Sequence, residues 1–138
     1  MKVPGTLLLM AGLEFGGCAA APIGNPALTA IEVTAKDNGA VIDLQSAQHL
    51  IVRLKSIPAT GYRWSLVDSA QGVMRVAEDA PAFEQEPKSL DLIGAGGYEL
   101  WKFTPVGKGE AVIRFEYRRP WEHGIEPIDT AMYTVKVR

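Results

Sequence analysis

Apolar residues recur at every second position along most of this chain, and a period of two predicts strands rather than helices. The clearest run is 110–117, where Ala111, Ile113, Phe115 and Tyr117 share one face and Val112, Arg114 and Glu116 the other. In 130–138, Ala131, Tyr133, Val135 and Val137 fall on a single face. Trp101 and Phe103 do the same in 98–103. Residues 49–55 alternate Leu50, Val52 and Leu54 with Ile51, Arg53 and Lys55. Residues 61–67 alternate Tyr62, Trp64 and Leu66 with Arg63, Ser65 and Val67. Shorter β-rich segments cover 28–35, 40–44 and 73–76, and 82–84 is expected to pair briefly as an edge strand. Asp37-Asn38-Gly39 reads as a hairpin turn between the first two of these.

No helical period emerges. Roughly seven to nine short strands with frequent turns predict an all-β fold, an antiparallel β-sandwich of immunoglobulin-like type. A length of 138 residues gives one such domain a real core and is too short for two ordinary ones. The net charge of −2 argues against a nucleic-acid footprint and against binding to anionic membrane surfaces.

The N-terminus has a different pattern. Met1-Lys2 precedes an apolar run through Leu13, which has the length of a signal peptide, and Phe15-Gly16-Gly17-Cys18 resembles a bacterial lipobox. The expected organisation is a lipoprotein-type signal peptide over 1–17, a tether over 18–27 and the sandwich over 28–138. Cys18 is then the lipidation site and the only membrane contact, and the protein is exported to the periplasm or cell envelope, or secreted. As Cys18 is the single cysteine, the chain has no intramolecular disulfide and no multi-thiolate metal site.

Catalytic signals are weak. His49 and His123 lie in no metal-ligand spacing, and both are expected to be solvated. Gly94-Ala95-Gly96-Gly97 lacks the Lys-Ser/Thr of a phosphate loop. The acids of 77–97 read as a solvated loop rather than a hydrolytic pair. The chain is therefore expected to be neither an enzyme nor a holder of a metal or cofactor.

Three loops stand out instead. Ile57-Pro58-Ala59-Thr60-Gly61 joins two strongly patterned strands. Proline fixes φ and glycine admits positive φ, so its tip is stiff, small and largely apolar, and suited to insertion into a partner. The plain alternative is a tight hairpin whose apolar residues fold back on the core. The acidic, proline-rich stretch 77–97 is long for an irregular segment and ends in the glycine-rich Gly94–Gly97. The third loop, 118–129, carries Arg119-Pro120-Trp121. Trp64, Tyr62 and Trp101 are expected in the core, and Trp121 in contact with a partner.

These motifs, in this order, resemble the chagasin family, inhibitors of papain-like cysteine peptidases. The family pattern is Asn-Pro-Thr-Thr-Gly-Tyr-x-Trp, then Gly-x-Gly-Gly, then Arg-Pro-Trp. The resemblance spans 28–138 and implies an immunoglobulin-like fold whose three loops form a wedge. It implies a monomeric, reversible, non-covalent inhibitor whose first loop occupies the catalytic centre of a papain-like cysteine peptidase. The implied contacts are Ile57, Pro58, Ala59, Thr60 and Gly61, then Gly94, Ala95, Gly96, Gly97 and Tyr98, then Arg119, Pro120 and Trp121. Ile57 and Ala59 depart from the pattern, where the family has Asn and the first Thr. The first loop thus lacks the side chain that braces the turn and the hydroxyl that faces the catalytic pair. These changes bear on affinity and target preference more than on the mode of binding. An extracytoplasmic adhesion or ligand-binding module is the competing reading.

Overall fold

The computed structural model describes residues 29–86 and 96–138. The expected signal peptide and tether, Cys18, Gly94 and Ala95 lie outside the described residues. Among the described residues nine strands follow one another: β1 (Ala30–Thr34), β2 (Val41–Leu44), β3 (His49–Ser56), β4 (Arg63–Ser69), β5 (Met74–Val76), β6 (Ala82–Gln85), β7 (Gly97–Pro105), β8 (Gly109–Arg118) and β9 (Asp129–Val137). One sheet runs β1-β3-β7-β5, with β6 also on β7, and the other runs β2-β9-β8-β4. This is the two-sheet, all-β sandwich that the alternation predicts. Most pairs are antiparallel, while β1 on β3 and β2 on β9 are parallel.

The inward rows are those read from the sequence. Leu50, Val52 and Leu54 of β3 meet Trp101 and Phe103 of β7, and Ile113 and Phe115 of β8 meet Tyr133, Val135 and Val137 of β9. Phe115 lies at the centre, edge-on to Trp64, Trp101 and Phe103 at centroid distances of 6.5, 5.2 and 6.2 Å. Aromatic pairs in this geometry add to what burial alone contributes. Tyr133 Oη donates to the Thr34 carbonyl at 2.7 Å, a bond from one sheet to the other. Burial, helped by Asp37 and Asp129, pushes that hydroxyl up to about 12, so it stays a donor at physiological pH.

Two local readings change. Asp37-Asn38-Gly39 does not make a hairpin, because β1 and β2 belong to different sheets. Thr34 instead caps a 3-10 turn over Ala35–Asp37 with a capping box. Asn38 then ties into β9, its Oδ1 accepting from Met132 N at 2.7 Å. His49, expected to be solvated, is half-buried with Nδ1 3.2 Å from Thr104 Oγ1.

Phe115→Ala removes the ring on which three other aromatics pack. It is expected to lower the unfolding free energy by about 3–5 kcal/mol. Urea denaturation measures this directly, and a loss below about 1 kcal/mol would mean that the core is not built around this ring.

Candidate functional site

The chain crosses from one sheet to the other between β3 and β4, so 57–62 is an arch and not a hairpin tip. Pro58–Thr60 forms a 3-10 turn, closed by Gly61 in the left-handed region at φ 85°. Thr60 N donates to the Ile57 carbonyl at 3.0 Å, and Gly61 N to the Pro58 carbonyl at 2.9 Å. The Thr60 hydroxyl donates to the Ile57 carbonyl at 2.6 Å and accepts from Tyr62 N at 3.4 Å. Thr60 therefore braces the turn internally. Pro58, Ala59 and Thr60 are left exposed at the tip, and Ile57 is 38% exposed.

Aromatic residues hold both feet of the arch. Tyr117 of β8 stacks on Trp64 at 4.8 Å and packs against Tyr62 at 5.5 Å. Its hydroxyl accepts from Ile57 N at 3.2 Å, while Trp64 Nε1 donates to the Lys55 carbonyl at 2.9 Å. Trp64 is buried in the core as the sequence predicts, whereas Tyr62, also expected there, is only half-buried, because it packs on Tyr117 and under the Arg119 guanidinium at the surface end.

The third loop is locked to the first. Arg119 Nε donates to the Thr60 carbonyl at 3.1 Å, and its guanidinium lies 4.5 Å from the centre of the Tyr62 ring. Trp121 covers Gly61 so closely that a Cβ there would overlap its Cη2 atom. Glycine is thus needed at 61 twice, for its φ and for the indole above it. Even so, Trp121 remains 63% exposed. Arg118 holds the loop from behind, donating to the Ile125 carbonyl at 3.0 Å and pairing with Glu116 at 2.8 Å.

The second loop reaches the same end through its described residues. A Cβ on Gly96 would lie 2.9 Å from the Ser56 carbonyl oxygen and 3.0 Å from Ile57 Cγ1. Gly97 is buried between β3 and β6, pairing with Ser56 and Gln85, and a Cβ would overlap the Glu84 carbonyl. These glycines permit close strand approach. Tyr98 is half-buried, with the Arg53 guanidinium 4.0 Å from its ring centre and its hydroxyl donating to Glu86 Oε1 at 3.2 Å. Among the described residues no group of acids, histidines and cysteines is arranged to hold a metal.

Sequence reading missed Glu99, which lies under the arch. It is 6% exposed and sits in the core-facing row of β7. Its Oε2 accepts from Trp64 N at 3.3 Å. Burial raises the Glu99 carboxyl above its usual range, opposed by Ser56, the Trp64 amide, the positive charge of Arg63 and Trp101. Ser56 Oγ and Trp101 Nε1 are buried without a hydrogen bond of standard geometry, yet both polar groups favour the ionised form. The available signal was phase, since Glu99 precedes Trp101 and Phe103 by two and four positions.

Gly61→Ala is expected to cost about 1–2 kcal/mol from the left-handed backbone alone, and more from the clash with Trp121. In a Trp121→Ala background only the backbone part should remain, so a denaturation cycle should show coupling between the two sites. Additive effects would contradict the packing described. Glu99 gives a second test. A carboxyl whose folded value is raised binds its proton more tightly in the native state, so its contribution to stability falls as pH rises through the window above about 4.5. Glu99→Gln is expected to be more stable than the wild type at neutral pH, with the gap closing as pH falls through that window. Parallel stability curves for the two proteins would contradict it.

The profile described as "Chagasin family peptidase inhibitor I42" matches residues 43–137, which span the arch and both flanking segments. The chain is 26% identical to Amoebiasin-2 of Entamoeba histolytica over 106 residues, 77% of this chain and 84% of that one. It is 29% identical over 94 residues to Chagasin of Trypanosoma cruzi, covering 65% of this chain and 82% of that one. The crystal structure of a cysteine protease inhibitor from Entamoeba histolytica superposes with a TM-score of 0.68 at 23% identity, covering 80% of this chain and 96% of that one, a likeness of fold. With the profile running through nearly all of the described sandwich, the chain belongs to the chagasin family of peptidase inhibitors.

Proposed function

We propose that this chain is a reversible, non-covalent inhibitor of papain-like cysteine peptidases that fills the active-site cleft with the 57–61 arch. The family is one of inhibitors, not enzymes. The observation that carries the reading is the joining of two loops: Arg119 bonds the Thr60 carbonyl and Trp121 lies over Gly61. An exposed tip braced in this way loses little conformational freedom on docking, which leaves more of the contact energy as affinity. Trp121 supplies a large exposed aromatic beside the tip, the kind of residue that dominates interfaces. Gly96 lies against Ser56 and Ile57 at the start of the tip, and leads into Gly97 and Tyr98. Three such segments suffice for a standard interface of about 1,600 Å². Because the Arg119 Nε–H is spent on Thr60, this residue acts by fixing the arch as well as by facing the peptidase. Pro58 and Ala59 lead the insertion, and their small apolar surface suits a narrow cleft.

The basic start, the apolar run and Cys18 support export with a lipid anchor.

Purified protein titrated against papain is expected to inhibit it reversibly with one-to-one stoichiometry. Trp121→Ala should weaken inhibition by about ten- to thirtyfold with the fold intact. No inhibition at micromolar concentration would sink this reading and favour an adhesion or ligand-binding module. Export is checked in a bacterial host that lipidates proteins: the full chain should fractionate with membranes and Cys18→Ser should release it. Equal distribution of the two would argue against the anchor.

A further inference from the structure

The core-facing row of β7 is Gly97, Glu99, Trp101 and Phe103, so one carboxyl stands in an otherwise apolar or small series. Burying a carboxylate carries a desolvation cost that only good partners offset. Three of the groups around Glu99, namely Ser56, the Trp64 amide and Arg63, belong to the feet of the arch, and the fourth, Trp101, is its neighbour on β7. Trp64 N, which donates to Glu99 Oε2 at 3.3 Å, lies at the start of β4 in the opposite sheet. β4 is the outer strand of that sheet, and at Trp64 its backbone bonds across to the other sheet. Ser56, on the same inner face of β3, is the last strand residue before the tip. Beside the carboxyl lies a cavity of about 270 Å³ lined by Ser56, Pro58, Arg63, Pro81, Phe83 and Glu99. That space extends to Pro58 of the tip, so packing alone does not hold the underside of the arch.

We infer that Glu99 is a positioning residue of the inhibitory arch: its carboxyl bonds the foot on β4 through the Trp64 amide and lies against the foot on β3 at Ser56, setting the span between the sheets. It touches no peptidase and acts only through the conformation of 57–62. The inference rests on the proposed function for its effect on inhibition, while its structural half concerns the free protein alone.

The test uses the folded domain with Glu99→Leu, Glu99→Asp and Glu99→Gln, and Val135→Ala as a core variant far from the arch. Leucine removes the acceptor, aspartate withdraws it by one methylene, and glutamine keeps a carbonyl acceptor in place. In the free protein, amide hydrogen exchange at Thr60, Gly61 and Trp64 should quicken about tenfold or more in Glu99→Leu, relative to Tyr133 in the β8–β9 ladder. Glu99→Asp should show the same local change to a smaller degree, which keeps the test open if the leucine variant does not fold. Glu99→Gln should exchange as the wild type does. Against papain, Glu99→Leu should weaken inhibition about tenfold, the loss of one hydrogen bond to a charged group. Glu99→Gln should stay within about threefold, as should Val135→Ala despite its lower melting temperature. Unchanged exchange in the arch of Glu99→Leu and Glu99→Asp would overturn the proposal. So would a loss of inhibition that Val135→Ala reproduces at equal loss of stability. If the wild type fails to inhibit papain, the functional reading falls and the exchange data still decide the positioning role.

Discussion

The structure depends on one short crossing. Between β3 and β4 the chain leaves one sheet and enters the other, and packed sheets stand about 10 Å apart. Six residues, 57–62, make that passage. A span so short leaves few conformations, and the 3-10 turn with left-handed Gly61 is the one taken. Everything around the arch narrows the choice further. Tyr117 receives its first amide, Trp64 bonds back to β3, and Arg119 bonds its last turn carbonyl. The exposed tip is therefore held from several sides, the reverse of what a loop usually is.

This constraint links fold to function. The core strands place the two feet, the aromatic stack of Tyr62, Trp64 and Tyr117 sets the direction of the arch, and the third loop closes over it. The glycines do separate jobs. Gly61 admits the backbone turn and the indole above it, while Gly96 and Gly97 let the second segment lie against β3 and β6. The proposed binding through such an edge would need little reordering, and its affinity would come from the shape and apolar character of the tip and from Trp121. At the start of the arch, Tyr117 and Thr60 supply the internal bonds, both to the backbone of Ile57.

Much of this was legible in the sequence. The strands that became β3, β7, β8 and β9 announced themselves because each buries one face more than the other, and that difference is what a period of two records. The three loops were legible as compositional oddities and as a set. What stayed hidden were choices made by distant partners. Asp37-Asn38-Gly39 has hairpin chemistry, yet β1 and β2 pair in parallel with β3 and β9, and nothing local encodes that. Pro58 and Gly61 punctuate a hairpin and an arch equally well. Arg119 read as a contact for a partner, and its bond to the Thr60 carbonyl within the chain was not foreseen. Glu99 was visible in phase with Trp101 and Phe103, but its role needed the position of the Trp64 amide from the other sheet.

The most direct test of the account is the crystal structure of the one-to-one complex with papain. The account predicts the 57–61 arch seated in the cleft with Pro58 and Ala59 over the catalytic cysteine. It also predicts the Arg119–Thr60 bond retained, with Trp121 and the Gly96–Tyr98 edge on opposite walls. A complex in which the arch lies outside the cleft, or refolds on entering it, would contradict the central claim.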